Sequence, residues 1–148
     1  MSSGTNSKVR AYYSGSNLTL STGTTNLVTF NYESWDLLNE FDTTTYRFTA
    51  SSSGYYQVNV AVRIDVSHSS SSAYVELRLK KNTSYVSYGG IDFYGQYSGG
   101  ILRPMLNDVV NLNAGDYLMV HLFGNSGWSN LWLKSGSTST YISIYKIN

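Results

Sequence analysis

Hydrophobic and polar side chains alternate along most of this chain of 148 residues. In residues 54–65 every second side chain from Tyr56 to Ile64 is apolar, and most of those between them are polar. Such alternation is expected of a β-strand with one buried and one solvated face. The same pattern predicts strands at residues 74–80, 116–124 and 141–147 and, less regularly, at 9–13, 18–20, 26–30, 46–50 and 101–112.

Clusters of Ser and Gly separate these segments, and no window has the period of an amphipathic helix or of a longer internal repeat. A set of about nine or ten short strands without helices predicts an all-β fold, a single jelly-roll β-sandwich of about ten antiparallel strands. The chain length suits one domain. We therefore expect residues 1–8 to form a short N-terminal arm and residues 9–148 to form the jelly roll.

The polarity of the chain comes mainly from uncharged side chains. Ser, Thr and Asn together supply a third of the residues, whereas charged residues supply 13% and the net charge is +1. Nucleic acid and anionic membranes need a basic surface, and this charge balance gives no reason to expect either as a partner. No apolar run approaches the ~20 residues of a membrane span, so we expect no membrane insertion. The absence of cysteine excludes disulfides and thiolate chemistry.

Residues 1–10 lack the apolar stretch of a secretory signal peptide. A Tyr-, Ser-, Thr- and Asn-rich chain without an export signal suggests two routes to an exposed location. One route is release by cell lysis, as for a phage particle, and the other is processing of a longer protein. The localisation we expect is a virion or another extracellular surface.

Six residues, four aromatic, one acidic and one glycine, stand at a characteristic spacing: Phe30, Asp36, Phe41, Phe48, Gly54 and Tyr56. This spacing resembles the signature of the C1q-like family, the globular heads of complement, whose jelly roll is shared with the tumour necrosis factor ligands. Residues 112–118 and 141–145 are similar to two later strands of that family. Where the family has two further aromatic residues, this chain has Val58 and Val60. We expect all six signature residues to be structural, with Gly54 supplying a positive φ at a sharp turn.

The resemblance implies a homotrimer, in which three jelly rolls pack around a threefold axis through apolar and aromatic side chains. The chain has 14 tyrosines, more than so small a core is expected to hold, and tyrosine suits interfaces because it is large, rigid and amphipathic. The candidates for the trimer interface are Tyr141, Ser143 and Tyr145 on the last strand, with Met119, His121 and Phe123 expected beside them. The alternative is that these residues simply cover the core.

Residues suited to catalysis are few, and we predict that the chain is not an enzyme. His68 lies in a Ser-rich segment and His121 lies on a predicted strand, but no Gly-x-Ser-x-Gly turn or His-x-x-x-His spacing accompanies them. Four carboxylates cluster in sequence and leave open a carbohydrate hydrolase or a calcium site: Glu33, Asp36, Glu40 and Asp42. We predict no cofactor and no other metal.

Two segments have the composition of a binding surface. Residues 85–100 are rich in Tyr and Gly, as adaptable recognition loops are, and residues 127–132 place two Trp where they could stack on sugar rings. The contact candidates are Tyr85, Tyr88, Tyr94, Tyr97, Trp128 and Trp132. The alternative is that both segments pack against a neighbouring subunit or fill one end of the sandwich.

The sequence favours a non-enzymatic, homotrimeric structural or binding protein, a phage virion surface component such as a capsid decoration, a fibre tip or a receptor-binding head. Its partners would be further copies of itself, capsid or fibre proteins, or a glycan or protein receptor on a cell surface. The alternative function is a carbohydrate-binding module that uses exposed Trp and Tyr side chains.

Overall fold

The computed structural model of the chain describes residues 6–67, 72–94 and 99–148, with the backbone alone at Phe93 and Tyr94. Within these ranges the regular structure is entirely β-strand, so the described residues include no helix that could cross a membrane. The strands are β1 (Lys8–Tyr12), β2 (Leu18–Leu20), β3 (Thr24–Leu27), β4 (Tyr32–Asp36), β5 (Phe41–Asp42), β6 (Arg47–Thr49), β7 (Gly54–Ala61), β8 (Ile64–Val66), β9 (Ser72–Lys81), β10 (Ser84–Tyr94), β11 (Gly100–Leu102), β12 (Met105–Leu112), β13 (Tyr117–Gly124), β14 (Leu131–Leu133) and β15 (Tyr141–Lys146).

The strands form two large antiparallel sheets and a smaller one. The front sheet has the order β12-β7-β15-β1-β4, and the back sheet has the order β10-β9-β13-β6-β5, with β3 also paired to β13. The end sheet has the order β11-β8-β14-β2. In the front sheet, and around β13 in the back sheet, neighbouring strands are not consecutive in sequence, whereas β9–β10 and β5–β6 are hairpin pairs. The predicted all-β architecture is confirmed.

The core lies between the two large sheets, where the apolar positions of the alternating strands meet. On β7 the inward residues Val58 and Val60 are at most 1% exposed, and on β9 the inward residues Leu77 and Leu79 are fully buried. Burial of each such side chain stabilises the fold by about 1.5–3 kcal/mol. The alternation along each strand in the sequence therefore indicates which side chains lie in this core.

Two of the predicted strands are each divided between the front sheet and the end sheet. Residues 54–65 form β7 and β8, and residues 101–112 form β11 and β12, with Pro104 at the second break. Pro104 has no N–H to give to a strand ladder, and its carbonyl accepts a hydrogen bond of 3.2 Å from Val62 N at the first break. The prediction of unbroken strands was wrong here because alternation continues through a change of sheet.

The Tyr- and Gly-rich segment is a strand over most of its described length, where we expected a recognition loop. β10 pairs with β9 along its whole length, and its two central glycines lie close to other backbone segments. A Cβ at Gly89 would lie 2.2 Å from the carbonyl oxygen of Met105, and one at Gly90 would lie 2.5 Å from that of Val75. Glycine is used here for close packing of backbones rather than for adaptability.

Substitution of Gly89 by Ala is therefore expected to lower the free energy of unfolding by about 1–3 kcal/mol, because a backbone segment must move to admit the methyl group. Urea unfolding followed by tryptophan fluorescence measures the change. Gly124→Ala is the comparison: the obstructing atom there is the end of the Leu131 side chain, so we expect a smaller loss. A Gly89→Ala protein as stable as the wild type would contradict the close packing of β10 on β12.

Candidate functional site

The aromatic signature residues build the core. The rings of Phe30 and Phe41 meet edge to face with centroids 6.5 Å apart, and those of Phe48 and Tyr56 do so at 5.6 Å. All four side chains are buried. Their geometry is that of stabilising aromatic pairs.

The two other signature residues have backbone roles, one in a turn and one where two backbone segments approach closely. The carboxylate of Asp36 accepts hydrogen bonds from the backbone N–H groups of Glu40 (2.9 Å) and Phe41 (2.8 Å), which closes the turn between β4 and β5. Gly54 has a φ of +156°, and a Cβ there would lie 2.3 Å from the carbonyl oxygen of Asn148. Neither position leaves a side chain free for chemistry.

The outer face of the front sheet carries three rows of side chains that run across its strands. The strand register defines them from β12 towards β4. The first row is Met105, Ala61, Tyr141, Tyr12 and Tyr32. The second row is Asn107, Asn59, Ser143, Arg10 and Trp35. The third row is Val109, Gln57, Tyr145 and Lys8.

Large apolar and aromatic side chains on this front face are exposed in the single chain. Exposed fractions lie between 46% and 57% for Tyr32, Trp35, Met105, Val109 and Tyr145. The rows contain two cations and no carboxylate. A contiguous exposed surface of aromatic, aliphatic and amide groups with little charge is typical of a protein interface.

Arg10 is held in place at one side of the front face. Its guanidinium carbon lies 4.4 Å from the ring centroid of Tyr141 and 5.9 Å from that of Trp35. One of its N–H groups donates a hydrogen bond of 3.1 Å to Ser34 Oγ. These contacts order the aromatic side chains before any partner arrives, which lowers the entropy lost on binding.

Three of the interface candidates lie on the other side of the molecule. Met119, His121 and Phe123 are outward residues of β13 in the back sheet, whereas Tyr141 and Tyr145 are outward residues of β15 in the front sheet. The prediction that the two groups lie side by side was wrong. The strand order separates them, because β13 pairs with β9, β3 and β6, and β15 pairs with β7 and β1.

On the outer face of the back sheet, aromatic rings and cationic side chains mostly contact one another. The guanidinium of Arg78 lies 4.7 Å from the ring centroid of Phe123 and donates a hydrogen bond of 2.7 Å to Glu76. The Tyr85 hydroxyl lies 2.8 Å from Nδ1 of His121. Desolvation, together with the nearby charges of Lys80 and Arg78, lowers the pKa of His121, so the imidazole is neutral at pH 7.

The lowered pKa of His121 predicts a dependence of stability on pH. Because the pKa of His121 is lower in the folded chain, the unfolded chain binds a proton at this imidazole more readily. The free energy of unfolding is therefore highest at a pH above 6.5, the ordinary pKa of histidine, and it falls as the pH drops from 6.5 to the lowered pKa. Thermal unfolding at pH 7.5 and pH 5 measures this fall. In His121→Gln the fall should be smaller, and an equal fall in the two proteins would contradict the assignment.

Among the described residues the acidic segment does not assemble a metal site, and two of its carboxylates are engaged by turns of the segment itself. The carboxylate of Asp42 accepts hydrogen bonds from Thr44 and Thr45, and that of Asp36 is engaged by the β4–β5 turn. Those hydrogen bonds lower the pKa of Asp42 to about 2, so it cannot act as a general acid at neutral pH. In the described ranges no three Asp, Glu or His side chains converge as metal ligands would.

The comparison with solved structures decides the fold. The globular domain of the zebrafish complement 1qA protein is similar to this chain with a TM-score of 0.66 and 17% identity, over 96% of this chain and 98% of that one. Eiger TNF from S. frugiperda is similar with a TM-score of 0.71 and 14% identity, over 97% and 93%. The fold is a C1q/TNF-like jelly roll. No protein-family model and no curated protein matches the sequence.

One of the two Trp contact candidates belongs to the interior of the jelly roll. Trp128 is 2% exposed, and its indole N–H donates a hydrogen bond of 3.0 Å to the carbonyl oxygen of Tyr74. The expectation that it forms an exposed platform was wrong. A Cβ at Gly124 would lie 3.5 Å from the indole, an ordinary contact distance, but 2.3 Å from Cδ1 of Leu131, so the missing side chain on β13 makes room for Leu131.

The remaining contact candidates are divided between strands and residues outside the described ranges. Trp132 is half-buried on β14, and Tyr88 is exposed on β10, 6.0 Å from the ring of Tyr85. The side chain of Tyr94 lies outside the described residues, and so do Tyr97 and His68. The described candidates do not form one shared aromatic surface, because β14 lies in the end sheet and β10 in the back sheet.

The sequence reading missed the outermost strand of the front face. β4 carries Tyr32 and Trp35, but its register on β1 shifts between Arg10 and Ala11, so the simple alternation is broken there. The feature of the sequence that could have indicated this surface is Trp35, a large aromatic residue in a segment that also contains charged residues. An aromatic side chain of that size, if it is not in the core, indicates an interaction surface.

Proposed function

We propose that this chain is a non-enzymatic jelly-roll protein that assembles into a homotrimer through the outer face of the front sheet. The single observation that carries the proposal is the exposure of aromatic and aliphatic side chains on three strands of this sheet, β12, β15 and β4, with no carboxylate in the three rows. The resemblance to the C1q-like family supports a threefold assembly. Tyr141, Ser143 and Tyr145 are the predicted interface residues that lie on this face.

The low charge of the face suits contact around a threefold axis. Near such an axis equivalent residues of the three copies approach one another, so a strongly charged face would repel itself. Here the charges are confined to Lys8 and Arg10, and Arg10 is stacked on Tyr141 and Trp35. The amides of Asn59 and its row neighbours can hydrogen-bond across the contact, while the aromatic rings exclude water.

Hydroxyl-radical footprinting read by mass spectrometry tests this interface in the wild-type protein. Trp35, Met105 and Tyr145 should be oxidised several times more slowly in the wild type than in Ser143→Arg, a variant designed to break the contact. Tyr88, exposed on the back sheet, is the internal control and should react equally in both. Equal oxidation of the front-face residues in the two proteins would contradict an interface on this face.

The finer proposal is that the trimer is a surface component of a phage or another microbe and faces the extracellular medium. Its support is the composition, a third Ser, Thr and Asn with 13% charged residues, together with the Tyr-rich outer surface. The partners would be capsid or fibre proteins, or a receptor on a cell. Immunogold labelling of particles from lysed producing cells is expected to decorate their surface, and unlabelled particles would contradict this location.

A further inference from the structure

The front face contains an open cavity of about 340 Å³ between β15, β1 and β4. Its sides include the exposed rings of Trp35 and Tyr145, and none of its described lining residues is acidic. The described lining residues are Lys8, Val9, Trp35, Ser143, Ile144 and Tyr145. A cavity of this size with aromatic sides is large enough to receive an apolar side chain.

The opposite flank of the front face, formed by β12, carries projecting aliphatic side chains. Met105 is 56% exposed and Val109 is 48% exposed. Val109 belongs to the same row as Tyr145 and Lys8, because all three are aligned through Gln57 and the register of β15 on β1. Val109 therefore stands at the same position along the strands as the cavity, at the other end of its row.

Threefold symmetry decides which parts of the face can meet. A ring of three copies is closed by a contact between two different patches, one on each neighbour, whereas a patch that meets its own copy gives a dimer. Rotation about the axis leaves the position of each residue along the axis unchanged. For an axis that runs along the strands, one end of a row therefore faces the other end of the same row in the next copy.

The charges at the two flanks are complementary. Asp108 precedes Val109 at the edge between the front and back sheets, where its carboxylate accepts a hydrogen bond from the hydroxyl of Ser87 on β10. Lys8 lies at the cavity on the other flank. Among the described residues no ion pair uses Asp108 or Lys8. Contact between unlike flanks brings these charges together, whereas contact between like flanks would bring equal charges together.

We propose that the β12 flank of one copy docks on the β1–β4 side of the next copy, with Val109 in the cavity between Trp35 and Tyr145. This inference rests on the homotrimer proposed above and assigns the strands that meet in it. Val109 suits the cavity because a β-branched apolar side chain is stiff and loses little entropy on burial. The same pairing brings the thioether of Met105 level with the exposed ring of Tyr32, a favourable sulfur–aromatic contact.

Disulfide cross-linking tests this pairing, since the chain has no cysteine of its own. The double variant Val109→Cys with Ser143→Cys places one thiol on the β12 flank and one at the cavity. Within one chain β7 separates these strands, so the two positions are at least about 9 Å apart, and a disulfide requires a Cα separation below about 7 Å. Oxidation with copper phenanthroline should therefore give a covalent trimer on a non-reducing gel, with the disulfide joining the two substituted positions.

Two kinds of control accompany the double variant. Each single variant has one thiol per chain, which can link at most two chains, so neither should give a covalent trimer. Val109→Cys with Thr25→Cys has two thiols per chain, but Thr25 is exposed on β3 of the back sheet. This control pair should not give a covalent trimer either.

Truncation of Val109 tests the same contact without cysteine. Val109→Ala should raise the concentration at which the trimer dissociates by about tenfold or more, because two methyl groups leave the cavity in each contact. Ile101→Ala is the control, since Ile101 is also 48% exposed but lies on β11 of the end sheet. Its effect should stay below about twofold, as measured by light scattering over a dilution series.

The outcomes separate this inference from the homotrimer on which it rests. A wild-type protein that is monomeric contradicts the homotrimer, and the flank contact with it. A trimeric double variant that gives no covalent trimer on oxidation overturns the pairing of the flanks alone. A covalent dimer from Val109→Cys by itself would show that like flanks meet, and equal effects of Val109→Ala and Ile101→Ala would leave the cavity to another occupant; either result overturns the proposal.

Discussion

Substitution of Ser143 by Arg is expected to convert a trimer of about 49.5 kDa, three times the chain mass, into monomers of 16.5 kDa. Ser143 lies at the centre of the middle row of the front face, between Asn59 and Arg10. A second guanidinium beside Arg10 finds no carboxylate on this face. In a threefold assembly the added charges would be brought together and desolvated, which costs several kcal/mol.

Light scattering behind a sizing column measures the mass of the Ser143→Arg variant. Thr25→Arg is the matched control, because it adds the same side chain to an exposed position on β3 of the back sheet. Thr25→Arg should remain a trimer, and both variants should keep the wild-type circular dichroism spectrum. A Ser143→Arg protein that is folded and still trimeric would rule out this face as the interface.

Phe48→Ala is expected to lower the free energy of unfolding by about 3–5 kcal/mol, the largest effect on stability that we predict. The side chain of Phe48 is fully buried and packs edge to face on Tyr56, which is also fully buried. Its removal loses the burial of an aromatic ring and leaves a cavity between the sheets. Urea unfolding at one fixed protomer concentration measures the loss, since assembly makes apparent stability depend on concentration.

Tyr88→Ala serves as the control for Phe48→Ala, because it also removes an aromatic ring but from an exposed position on β10. Its effect on the free energy of unfolding should stay below about 1 kcal/mol. A Phe48→Ala protein within about 1 kcal/mol of the wild type would mean that the signature aromatics do not hold the two sheets together.

The fold was predictable wherever a strand has one buried and one exposed face. β7, β9, β13 and β15 alternate for this reason, and their positions follow directly from the sequence. β10 was missed because Gly89 and Gly90 interrupt its pattern where other backbones approach closely. β14 was missed because it is short and directly follows the Gly-, Ser- and Asn-rich residues 124–130, which are typical of a loop.

The candidate site was predictable only in part, because alternation tells which face of a strand is buried and not which sheet the strand joins. Tyr145 and Phe123 both lie on outward positions of alternating strands, yet strand pairing between distant segments puts them on opposite sides of the sandwich. Trp128 shows the converse limit. Its Gly- and Ser-rich surroundings are typical of an exposed loop, but the side chain is 2% exposed and its indole N–H donates a hydrogen bond to the carbonyl oxygen of Tyr74.

The mass of the wild-type protein in solution tests the central claim most directly. Light scattering at micromolar concentration should give about 49.5 kDa, three times the 16.5 kDa of one chain. A stable species of 16.5 kDa would contradict the homotrimer and leave the exposed aromatic rows of the front face without a partner.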